Sequence, residues 1–114
     1  MLNKRQYARH QIELPASFSG DELSARGVVT DLSFGGCKVE TPAVALPGDF
    51  LGILIDVPGR NEPLEIELAV VRWSIGQAFG VEFIRMKPKQ QVLLQGMLRK
   101  LEALTGSQSP SLWQ

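Results

Sequence analysis

Basic side chains cluster where acids are absent. Lys4, Arg5 and Arg9 fall within the first twelve residues, which contain neither Asp nor Glu. In a chain whose 12 basic and 12 acidic side chains cancel, that stretch is a local positive site suited to an anion. A second group follows at Asp31-Leu32-Ser33-Phe34-Gly35-Gly36, where a carboxylate and a hydroxyl stand two residues apart ahead of a glycine pair. Asp and Ser both hold turns by bonding side chain to backbone, and the two glycines are expected to adopt positive φ and make a sharp corner. Catalytic sets are harder to assemble. His10, Ser33 and Asp31 contain the residue types of a hydrolytic triad, but no nucleophile elbow or oxyanion arrangement accompanies them. One His and one Cys do not furnish the three or four ligands of a zinc site. Cys37 shares its alternation with Val39 and reads as a buried, inert thiol.

Composition narrows the field further. A chain of 114 residues with 44% apolar side chains makes one domain, and at this length folding hides roughly two-thirds of the unfolded surface, enough for a core without disulfides. No apolar run approaches the ~20 residues of a membrane span. The opening Met-Leu-Asn-Lys-Arg-Gln-Tyr lacks the apolar stretch of a signal peptide, so membrane insertion and export are not expected. A single cysteine fits a reducing cytoplasm. Zero net charge argues against general binding of DNA or RNA, which favours a basic balance.

The elements that must position the two groups are mostly strands. Ile12, Leu14, Ala16 and Phe18 alternate with polar residues and Pro15, which predicts a strand with one buried face. Residues 23–32 predict a second strand, leading into the corner at residues 33–36. Cys37, Val39 and Thr41 predict a short third, ended by Pro42. The apolar run over residues 50–57 predicts a fourth, covered on both faces. Residues 64–75 predict a fifth whose apolar phase slips by one near residues 69–71, the mark of a bulge or a barrel bend. Phe79, Val81 and Phe83 predict the sixth. After Pro88 the period becomes helical, with Leu94, Met97, Leu98 and Leu101 on one stripe and Gly106 suited to the C-cap. The chain therefore divides into an N-terminal arm over residues 1–10, a β-domain with a C-terminal helix over residues 11–106, and a polar tail over residues 107–114.

Arg5-x-x-x-Arg9, preceded by Lys4 and followed by Asp31-x-Ser33-x-x-Gly36, resembles the paired signature of the PilZ domain family. The late segment from Val71-Arg72-Trp73 through Gly80-Val81-Glu82-Phe83 is similar to that family's last hairpin, and the likeness covers residues 4–104. The resemblance implies a mainly β fold, a six-stranded antiparallel barrel with a C-terminal α-helix, in agreement with the strands and helix read from periodicity. It also implies a bacterial cytoplasmic receptor for cyclic di-GMP, with no cofactor and no catalysis. Arg5 and Arg9 would meet its phosphates or the O6 and N7 edge of guanine, and Asp31 would accept from the N1 and N2 edge. Ser33 would donate to phosphate or hold the corner, while Gly35 and Gly36 let the backbone come close. Lys4 stands where many members carry another Arg and supplies charge without the planar fork. Trp73 reads first as a core residue, and through the resemblance as an aromatic beside a bound guanine. Tyr7 lies within the arginine motif and reads either as a further neighbour of the ligand or as a surface position on the arm.

The implied mechanism is a switch in which ligand orders the basic arm and so changes a surface for a downstream protein partner. The alternative is a PilZ-fold adaptor that binds no nucleotide. A monomer is expected, or a weak homodimer through the remainder of the helix stripe or Trp113.

Overall fold

The computed structural model describes residues 10–105. Lys4, Arg5, Tyr7, Arg9, the Gly106 cap and the tail with Leu112 and Trp113 lie outside the described residues.

Six strands and a helix follow in the expected order: β1 (His10–Ser19), β2 (Ser24–Leu32), β3 (Gly36–Glu40), β4 (Phe50–Ile55), β5 (Leu64–Ile75), β6 (Ala78–Arg85) and α1 (Pro88–Thr105). All neighbouring strands are antiparallel, and they close into a barrel in the order β1-β2-β3-β6-β5-β4. The alternation in β1 does what its period requires, since Leu14, Ala16 and Phe18 are buried while Glu13 and Pro15 face out. Inside, Phe18 meets Phe79 edge to face, with ring centroids 5.2 Å apart and planes at 84°. Strand 5 shifts register against β6 between Leu68 and Ala69 and again between Val71 and Trp73. The slip read from its apolar phase is therefore real, and it carries the core from Ile66 to Ala69 and Val71.

Two expectations need correction. Strand 4 is covered on one face only, with Leu51, Ile53 and Ile55 buried but Phe50 57% and Leu54 41% exposed. A run of consecutive apolar residues suggests two covered faces, but the helix packs against β5 and β1 and leaves the outside of β4 open. The corner at residues 33–36 uses no positive φ, a conformation confined among the described residues to Gly48, Gly59 and Gly76. Gly36 is required for a different reason. A Cβ there would run into the carbonyl oxygen of Val81, so the residue serves the close approach of β3 to β6.

Pro88 opens α1, where its missing N–H costs no hydrogen bond. Leu94 is fully buried, and Leu93, Met97 and Leu98 pack partly against the core. Gln90 Oε1 accepts from the Glu65 N–H at 2.9 Å, and Gln91 Nε2 donates to the Met86 carbonyl at 2.7 Å, tying the first turn to the barrel. No helix among the described residues is long and apolar enough to cross a membrane.

Candidate functional site

The second sequence group sits on the outer wall of the barrel, and strand bulges decide which way it faces. In β2, Val29 opposes Val39 and Asp31 opposes Lys38, so two steps on β2 match one on β3. The extra residue lets Val29 and Leu32 both point inward while Asp31, between them, is half-buried in the wall, with its Oδ1 buried. A matching irregularity in β1 falls between Gln11 and Leu14, at the same end. The Thr30 Oγ1 at this kink is buried with no hydrogen-bond partner among the described residues.

Beyond Leu32 the chain turns on Ser33. Its hydroxyl donates to the Gly36 carbonyl at 3.3 Å and accepts from the Gly35 N–H at 3.2 Å, while the Ser33 N–H also bonds the Gly36 carbonyl at 2.9 Å. The Gly35 carbonyl accepts from the Phe83 N–H at 2.9 Å, which pins the corner to β6. Side chain and backbone thus build the turn that the Asp-x-Ser spacing suggested. Ser33 Oγ is engaged within its own corner, and His10 is buried opposite Leu32 in β1, so the hydroxyl is not set up as a nucleophile.

Register then joins residues far apart in sequence. Gln11 opposes Asp31, Asp31 opposes Lys38, Lys38 opposes Gly80, and Gly80 opposes Trp73. One row therefore crosses five strands, and at the usual strand spacing Asp31 and Trp73 stand about 14 Å apart along it. Trp73 is half-buried, and its indole lies over Gly80: a Cβ at position 80 would fall upon Nε1 and Cε2, and 2.8 Å from Cζ2. The indole lies on the outer face, which corrects its first reading as a core residue. Sequence reasoning missed Gly80 as its seat and Lys38 as its neighbour across the sheet, because both relations depend on how β3, β6 and β5 pair.

Charges next to this row are paired. Arg72 Nε donates to Glu82 Oε1 at 2.8 Å, and its Nη2 lies 2.8 Å from the same oxygen. Lys38 Nζ stands 3.7 Å from Glu40 Oε2. Inside the wall, burial and then the nearby Asp31 charge push the Cys37 thiol up to about 12. The inert thiol expected from the sequence is what burial produces. Another concavity, of about 280 Å³, lies where β1, β4 and β5 meet, but Glu65 and Glu67 line it and make it a poor seat for an anion.

The outward row, the Ser33 corner and the closed barrel are joined by a family match. The PilZ domain model matches residues 3–100. The chain belongs to the PilZ domain family. Members of this family are binding and adaptor domains, and it is a family of cyclic di-GMP receptors. Among solved structures, the Bacillus subtilis inhibitor of motility MotI/DgrA is similar over 94% of this chain, with 25% identity and a TM-score of 0.70. The PilZ chain spans about half of that protein, 55% of its length. The PilZ domain of CeSA from a cellulose-synthesizing bacterium is similar in fold over 82% of this chain and 96% of its own, at 20% identity and a TM-score of 0.66. No curated protein sequence matches.

Proposed function

We propose that this PilZ domain is a cyclic di-GMP receptor that passes its signal to a protein partner and carries out no reaction of its own. The observation that carries the reading is the outer row. Asp31 and Trp73 share one face, beside a corner whose backbone is held by Ser33 and pinned to β6. Asp31 accepts from the N1 and N2 edge of a guanine, and the free face of the Trp73 indole stacks on a base. The Ser33 corner, with Gly35 and Gly36, brings backbone up to the ligand. Arg5 and Arg9, with Lys4 in support, close over the phosphates from the N-terminal segment, and the ordering of that segment is the signal.

Exposed apolar side chains support the second half of the reading. Val44 and Leu46 stand exposed in the loop between β3 and β4, and Phe50 and Ile75 are exposed on the neighbouring strands. That loop is tied to the barrel by Thr41 N–H to Gln77 O at 2.9 Å and Gly48 N–H to Val71 O at 2.8 Å. A partner can use a surface held this firmly.

Isothermal titration calorimetry with cyclic di-GMP, against GTP and linear pGpG, tests the proposal. The expected result is micromolar or tighter binding of the cyclic ligand alone, weakened by about tenfold or more in Arg9→Ala and Asp31→Ala. Absence of heat and of competition would overturn it and leave the adaptor that works by protein contacts alone.

A further inference from the structure

The middle of the outer row holds a cation that the signature does not include. Lys38 lies between Asp31 on β2 and Gly80 on β6, where the Trp73 indole rests. Its neighbours Cys37 and Val39 point into the core, so Lys38 faces out with the row. In cyclic di-GMP the phosphates lie in the ring that joins the two guanines. A ligand with one base at Asp31 and another at Trp73 brings that ring over Lys38.

The resting state of the cation differs from that of its neighbour Arg72. Arg72 makes two contacts of 2.8 Å with Glu82 and is held in place. Lys38 Nζ is 3.7 Å from Glu40 Oε2, and the two side chains are 38% and 52% exposed. The Arg72 and Glu82 side chains are as exposed, at 50% and 37%, so the difference lies in the geometry: a single contact this long holds its partners weakly, and the ammonium can leave Glu40 at little cost. A dianion lying over Lys38 has the carboxylates of Asp31 and Glu40 beside it, and on this wall Lys38 is the cation that offsets them.

We propose that Lys38 is a phosphate-contacting residue of this nucleotide site and that Glu40 is its resting counter-ion, released when the dianion binds. Glu40 thereby lowers the affinity of the site, because ligand and carboxylate compete for one ammonium. This inference rests on the receptor reading above.

A double-mutant cycle on the full chain, read by calorimetry with cyclic di-GMP, tests it. Lys38→Met keeps the aliphatic stem and is expected to weaken binding about tenfold, while Lys38→Arg retains it. Glu40→Gln is expected to tighten binding roughly two- to threefold, the scale of an exposed ion pair. In the Lys38→Met background the same change at Glu40 should do nothing, whereas simple repulsion by Glu40 would persist there. Thermal melts of the variants separate a folding defect from a binding one. Wild-type affinity in Lys38→Met, or a Glu40→Gln gain that survives without Lys38, overturns the inference and leaves the receptor reading standing. A wild-type chain that binds no cyclic di-GMP overturns both.

Discussion

Replacing Gly80 by Ala drives a methyl group into the indole of Trp73, because the added Cβ would overlap Nε1 and Cε2 and lie 2.8 Å from Cζ2. Those atoms belong to a rigid bicycle, so the ring must lift from its seat as a body. A tryptophan buries on the order of 200 Å² when covered, and losing one face exposes about 100 Å². At about 25 cal/mol per Å² that costs about 2.5 kcal/mol. The alanine returns about 0.4–1 kcal/mol by restricting the unfolded chain. The net loss is about 1.5–2 kcal/mol, or a Tm lower by about 6–8 °C for a domain of this size. Thermal unfolding by circular dichroism measures the first quantity. Trp73 emission, followed in a Trp113→Phe background that removes the chain's other indole, reports whether the ring has moved into water. A Gly80→Ala protein with an unchanged Tm and an unshifted emission maximum would refute the seating of Trp73 on β6.

Four further outcomes follow from the barrel. Cys37 should resist thiol reagents at pH 8 in the folded protein and react on unfolding, because burial holds its pKa at about 12. Since that value lies above the unfolded thiol's, the contribution of Cys37 to stability is complete below about pH 9 and is lost as the pH rises towards 12. Denaturant titrations across that window should fall more steeply for the wild type than for Cys37→Ala, and parallel curves would contradict it. Thr30→Val removes a buried hydroxyl without a partner among the described residues, so stability should hold or rise by up to about 1 kcal/mol. A clear loss in urea unfolding would show that the hydroxyl is needed. Leu94→Ala should cost about 2–5 kcal/mol in the same assay, as its side chain is fully buried where α1 meets the barrel.

Strands with one buried face were legible because a period of two survives wherever the outer face is polar, as in Leu14, Ala16 and Phe18 against Glu13 and Ser17. The phase slip of β5 was legible for the same reason, since a bulge exchanges inside for outside and the apolar residues follow it. In β2 a similar bulge leaves only Val29 and Leu32 as its trace, three residues apart, and that spacing has no unique meaning until the partner strand is known. The exposed Phe50 and Leu54 misled because composition does not say where the single helix lies. At the site, Asp31, Ser33 and the glycines were legible as a contiguous motif, and Ser33 does make the turn its spacing implied. Lys38 and Gly80 were not, since what matters about them is which residues stand across from them.

Among the described residues the closed order gives every strand a neighbour on each side. A downstream protein therefore finds little backbone ladder to extend, chiefly the start of β1 ahead of its pairing with β4. Over the rest of the wall what such a partner reads is side chains: the sign of a charge freed or covered, or the shape of an apolar end. A single substitution at an exposed position can then retarget the output without disturbing the fold, so domains with this same architecture are free to diverge in whom they address.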